Sequence, residues 1–171
     1  MRAPFAMFRL PLLSICVGLI VGLLGIGLLS LIWLISHLAF FRELGYHEVS
    51  LNYSKWGIWG IAIPTLGGIC IAFIARFGSP AIRGHGIPEA MEGVIKNQSR
   101  VSLRVAVLKP ISTAICIGTG GPFGAEGPII ATGGAAGSLI GQWLPNSANE
   151  RKTLLAAGAA AGMTAVFGTP L

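Results

Sequence analysis

The stretch Gly120-Gly121-Pro122-Phe123-Gly124-Ala125-Glu126-Gly127-Pro128 decides how this chain is read. Glu126 is the only carboxylate between Glu92 and Glu150, and the sequence on either side is strongly apolar. A carboxylate at membrane depth costs about 2.5–3.5 kcal/mol on insertion scales, so such a residue reads as functional. Gly127-Pro128 follows at once, and Pro128 opens a new apolar run. Proline just inside a helix start, preceded by glycine, marks a helix N-terminus. Unbonded backbone N–H groups and the positive end of the helix dipole gather there, where anions bind. The acid is therefore expected to lie against those N–H groups.

The surroundings support membrane depth. The chain is 53% hydrophobic and 11% charged, with mean hydropathy +0.76; soluble domains carry about 25% charged residues. Residues 12–41 contain no Asp, Glu, Lys or Arg, and His37 is their only ionisable side chain besides Cys16. A helix over that range would be roughly 45 Å long, beyond a typical ~30 Å hydrocarbon core, so it must tilt or protrude. It is too long for a signal-peptide core. The formal net charge of +6 reads as topology, not nucleic-acid binding. Arg2 and Arg9 precede the first span, and Arg76, Arg83, Lys96, Arg100 and Arg104 follow the second. The positive-inside rule places the N-terminus and residues 76–104 in the cytoplasm and residues 42–55 outside.

Along the chain, residues 12–41 are the first span, with Gly18 and Gly22 at a spacing that permits close helix approach or a dimer seam. Residues 56–75 form the second, opening on the interfacial Trp56 and Trp59 and broken by Pro64. Further helices are expected at 88–96, 101–117, 128–143 and 150–166. The first and third of these read as partial helices. Broken helices with inward N-termini are the usual way to build an ion site near the bilayer midplane. The last helix, rich in alanine and glycine, reads as one that packs on other helices. The break signal Phe167-Gly168-Thr169-Pro170 before a single leucine reads as a fragment boundary. Cys16, Cys70 and Cys116 lack metal or redox spacing and are expected to pack as small hydrophobes. No cofactor and no metal site is expected.

A second loop, Gly84-His85-Gly86-Ile87-Pro88-Glu89, has the same form as 124–129: glycines, one polar side chain, then a proline opening a helix. Glycine lets a backbone N–H approach an ion without Cβ hindrance. Two such ends converging make an anion site without a full cation, and moderate affinity suits conduction. Glu126 fits as a tethered competitor for that site: ionised it occupies the N–H cluster, protonated it swings away. The competing reading of Glu126 is a first-turn acid or cap that stabilises its own helix. For His85 it is a turn residue. An intramembrane enzyme using His85 and Glu126 lacks a nucleophile or metal set beside either; a non-transporting membrane subunit is the other rival class.

On three segments the chain resembles the CLC family of chloride channels and proton–chloride exchangers. Residues 84–89 are similar to the family's G-S-G-I-P-E, residues 124–128 to G-R/K-E-G-P, and residues 154–171 to the helix and Phe-x-x-Pro-Leu turn that follow. The resemblance implies an all-α, polytopic integral membrane protein with broken and partial-length helices. Residues 1–171 would be the first half of an inverted-repeat transporter fold. It implies chloride transport, channel or proton-coupled antiport, with fluoride or another anion as the alternative cargo. It also implies a homodimer in a lipid bilayer, a bacterial inner membrane location, and no enzymatic role. Carried over by motif, His85, Gly86, Ile87, Pro88 and Gly127 bind the anion and Glu126 is the gate. Two positions depart from the family: His85 replaces serine, and Ala125 replaces the basic residue beside the gate.

Overall fold

The computed structural model describes residues 4–49, 56–79, 82, 99–144 and 147–168, with backbone alone for 4–7. Among the described residues there are five α-helices and no strand. Helix α1 spans Pro4–Ser36 and passes into a π-helical segment, His37–Phe41. Helices α2, α3, α4 and α5 span Trp59–Phe77, Leu103–Gly118, Glu126–Trp143 and Ala148–Phe167. Each expected span outside 88–96 has its helix; the segment 88–96 lies outside the described residues. Helix α1 begins at Pro4, well before residue 12, because proline is tolerated in a first turn where its N–H would be unbonded anyway. The same reason corrects the start of α4. The helix begins at Glu126, and Pro128 occupies its third position instead of its first.

The ends have local causes. Ser102 caps α3, its hydroxyl accepting from the Val105 N–H at 3.4 Å. Ser147 and Glu150 form a reciprocal capping box on α5: the Ser147 N–H donates to the Glu150 carboxylate at 2.7 Å, and the Glu150 N–H donates to the Ser147 hydroxyl at 3.2 Å. Gly168, at φ +63, ends α5. Helix α3 ends in a Schellman turn: Gly120 N–H bonds the Ile117 carbonyl at 2.9 Å and Gly121 N–H the Cys116 carbonyl at 2.8 Å. Gly120 takes the left-handed φ of +91 that this turn needs.

Helices α4 and α5 form an antiparallel hairpin packed backbone to backbone. A Cβ on Gly133 would sit 2.2 Å from the Gly158 carbonyl oxygen, and one on Gly137 would sit 2.1 Å from that of Leu154. A Cβ on Gly162 would sit 2.6 Å from the Ile129 carbonyl oxygen, and one on Gly141 3.0 Å from the Arg151 side chain. In lipid, where apolar side chains gain little by leaving the solvent, such close approach supplies the dispersion contacts that hold helices together. The alanine and glycine of α5 thus have the packing role expected of them.

Helix α1 lies along this hairpin through one seam. Val17, Val21, Leu28 and Ile32 are buried, and Gly25 touches Ala165 and Ile129. Leu28 and Ile32 meet Ala114 and Ile129, while Val17 and Val21 meet Leu154. The opposite side of α1 carries Leu12, Ile15, Leu19, Leu23 and Ile26, all exposed. A helix apolar on its outward side as well as its inward side suits a lipid environment. Helices α1 and α2 are long and apolar enough to cross a membrane. Helix α2 leans on α3, where Gly67 makes room for Thr119. Its Ile61, Leu66, Ile69, Phe73 and Phe77 are exposed. Gly18 and Gly22 have nothing within 4 Å of an added Cβ, so the close packing expected of that pair occurs at Gly25 instead. Cys16 and Cys70 are exposed, not packed as expected; only Cys116 is partly covered.

The packing sorts the charges. Ends of α1 and α3, the start of α4 and the end of α5 meet at one pole. There the described charged residues are Arg42, Glu43, Glu48 and Glu126. Arg9, Arg76, Arg100, Arg104, Arg151 and Lys152 belong to the opposite pole, with Glu150 as its acid.

Candidate functional site

The glycine-rich turn 119–125 exists to redirect the chain from α3 into α4. The Schellman bonds close α3, and the Phe123 N–H then bonds the Gly121 carbonyl at 2.8 Å. A Cβ at Gly121 would lie 2.5 Å from the Cys116 carbonyl oxygen, so the turn requires glycine there. Ala125 follows as the N-cap residue and offers no side-chain cap. Its carbonyl accepts the first helical bond, from Ile129 N–H at 3.0 Å.

Glu126 is the first residue of α4, and its side chain is exposed. Among the described residues its carboxylate has neither hydrogen bond nor ion pair. This corrects the expectation that the carboxylate is held against the N–H cluster. Of the rival reading, the cap half falls, since Ala125 is the N-cap, and the other half stands: Glu126 is an acid in the first turn of α4. The N–H groups of Glu126 and Gly127 fall in the turn of a helix where no intrahelical carbonyl reaches, and Pro128 has no N–H at all. The start of α4 therefore presents two backbone donors, the positive end of a helix dipole and one tethered carboxylate. Such a start can hold an anion or its own acid.

The first loop is different. His85, Gly86, Ile87 and Pro88 lie outside the described residues, so the structure does not bring them together with Glu126 and Gly127.

At the other end of α4 lies a polar clamp that sequence reasoning missed. Ser138 and Ser99 are almost wholly buried. The Ser138 hydroxyl donates to the Ser99 carbonyl. It accepts from the Val101 N–H at 3.1 Å and from Gln142 Nε2 at 3.1 Å, which saturates it. Gln142 Nε2 also lies 3.1 Å from the Val101 carbonyl. The chain entering α3 is thereby tied to α4 across some forty residues of sequence, and Ser99 is held at φ +60. The readable signal was two polar residues one helical turn apart in an Ala/Gly helix. Lys109, buried in α3, was signalled only by its charge in an apolar run.

With this geometry in view, the comparisons with known proteins are decisive about kinship. The family described as voltage gated chloride channel matches residues 66–171. The chain is 32% identical over 165 residues to the H(+)/Cl(-) exchange transporter ClcA of Cronobacter sakazakii, covering 94% of this chain and 34% of the relative. It is 40% identical over 101 residues to ClcA of Salmonella arizonae, covering 58% of this chain and 21% of the relative. It is 29% identical over 115 residues to a putative chloride channel protein ClcB-like of Ralstonia nicotianae, covering 65% of this chain and 27% of the relative. No solved structure gives a significant match. The match covers more than half of the chain. The protein belongs to the voltage-gated chloride channel family and is an all-α membrane protein. It spans about a third of the length of the longer matches among its curated relatives.

Proposed function

We propose that the protein carries chloride across a membrane, and that these residues form the first of two inverted halves of its transport domain. The observation that carries this reading is the start of α4. Among the described residues, the Glu126 carboxylate there has no hydrogen bond or ion pair and stands beside two backbone N–H groups that no intrahelical carbonyl reaches, in a family whose named relatives include an H(+)/Cl(-) exchange transporter. Ionised, Glu126 competes with chloride for those donors and shuts the path. Protonated, it loses the attraction and leaves the donors to the anion. Gly127 supplies one of the donors. His85, Gly86, Ile87 and Pro88 supply a second cradle, by similarity of motif. His85 gives this cradle an imidazole in place of a hydroxyl, which adds a group that titrates in the physiological range. The coupled ion is a proton, as the names of the exchanger relatives say of those proteins.

The segregation of basic side chains supports an orientation. The pole bearing Arg9, Arg76, Arg100, Arg104, Arg151 and Lys152 faces the cytoplasm of a bacterial inner membrane, and Glu126 lies toward the outside. The functional unit is a homodimer with one pathway per subunit.

Chloride efflux from liposomes tests the gate. Wild-type flux should rise as external pH falls. The flux of Glu126→Gln should be insensitive to external pH while remaining selective for chloride over a bulky organic anion. Full retention of pH dependence in Glu126→Gln would remove Glu126 from the gate.

A further inference from the structure

His37, the one ionisable side chain of the first span besides Cys16, is enclosed. It opens the π-helical segment and is only 7% exposed. Gly45 lies over its ring, so close that a Cβ there would be 2.5 Å from Nε2. The Phe41 ring is 5.8 Å away, and the His47 ring is 4.5 Å away, edge-on. The His37 Nε2 also lies 3.3 Å from the His47 carbonyl oxygen, to which a protonated Nε2 donates. The chain turns back at Arg42, a non-glycine residue at φ +56. Such a conformation persists only where neighbouring contacts impose it. Single π-turns of this kind recur at functional positions.

We propose that His37 and His47 form a proton-operated latch that holds residues 42–49 over the end of α1. The segment is shut while at most one imidazole is charged and opens when both are. Imidazole is the side chain that changes charge between pH 5 and 8. A single proton is tolerated, because a charged His37 still donates to the His47 carbonyl and an edge-on ring pair accepts one cation. Two protons place like charges on rings whose centres are 4.5 Å apart, with His37 buried between Phe41 and Gly45, where water cannot solvate it.

The other charges around the pair do not offset this. Arg42, Glu43, Tyr46 and Glu48 belong to the folded-back segment and are all exposed, so solvent screens them. Residues 56–59, whose Trp56 packs on Phe40 and Phe41, carry no titratable side chain. The end of α3 brings the thiol of Cys116, and the turn 119–125 and the end of α5 carry no titratable side chain. Glu126 is the one acid another helix brings to this pole among the described residues; Lys55 lies outside them. The inference stands on the geometry of the pair and is independent of the transport assignment.

Amide hydrogen exchange of residues 43–49, measured in the lipid-reconstituted protein as encoded, tests the latch. Intrinsic exchange is divided out at about pH 7.5 and about pH 5.0, on either side of ordinary histidine titration. Acid should deprotect the segment about tenfold or more in the wild type, and less than about twofold in His47→Gln, which keeps the carbonyl but cannot take the second charge. His47 is exposed, so this substitution does not disturb the core. A His37→Phe protein, which fills the same space with an uncharged ring, should likewise lose the acid response. Equal protection at both pH values in the wild type overturns the proposal. So does equal opening in the wild type and His47→Gln.

Discussion

At its C-terminal end α4 is held by a saturated hydroxyl and a side-chain amide; at its N-terminal end it has neither. The saturated Ser138 hydroxyl and the Gln142 Nε2 together fix the entry to α3. Seven residues of glycine-rich turn lead into the other end, where Ala125 cannot cap and Glu126 is bonded to nothing described. The hairpin between α4 and α5 carries this asymmetry, because its backbone contact leaves α4 little freedom to move as a body. That arrangement suits the gate proposed above: a helix held by its partner, with one exposed carboxylate at its start.

The contrast can be broken first at the hairpin. Gly137→Leu puts a side chain where the Leu154 carbonyl already sits 2.1 Å from a Cβ. Overpacking against backbone, which cannot rotate away, should cost more than about 4 kcal/mol and abolish a monodisperse preparation on size exclusion. A smaller effect is expected at the clamp. Ser138→Ala leaves the Val101 N–H and the Ser99 carbonyl without their hydroxyl partner in a buried place. The cost should be about 1–3 kcal/mol, read as a fall in the thermal transition. Smaller again is Ser147→Ala, which removes half of the α5 capping box and should cost about 1 kcal/mol on the same measurement. Last comes Gly22→Ala, which meets open space within the chain and should leave the transition unchanged within about 0.5 kcal/mol. If Gly22→Ala proves as harmful as Gly137→Leu, the outer side of α1 is packed in the assembled protein, and the contrast between inner and outer glycines fails.

Most of the helical architecture was legible because lipid simplifies the code. Residues 12–41 and 56–75 announce themselves by the absence of charge, and glycine–proline breaks at 118–128 and 145–147 separate the remaining helices. The boundaries were less legible. Pro128 signalled a helix start, yet the first turn also tolerates proline at its third position, where its missing N–H costs no intrahelical bond. The glycines of α1 misled for another reason: spacing shows that Gly18 and Gly22 share a side of the helix, and only the third dimension shows that Gly25 faces the hairpin. At the candidate site, the lone acid and its glycines could be read directly. Its hydrogen bonding could not, because whether a carboxylate rests on its own helix end depends on a rotamer. Ser138 and His37 were hidden for a related reason. Their partners, Ser99 and His47, are brought to them by tertiary packing or by a reversal of the chain, neither of which leaves a local motif.

Anomalous scattering from bromide gives the most direct test of the central claim, that Glu126 and an anion compete for the same backbone donors. Crystals of the wild type and of Glu126→Ala, soaked in bromide near neutral pH, should differ at one place. Glu126→Ala should show a bromide peak within hydrogen-bond reach of the residue 126 and Gly127 N–H groups, and the wild type should show none there or a much weaker one. An empty helix start in Glu126→Ala, or equal bromide density in both proteins, would contradict the account.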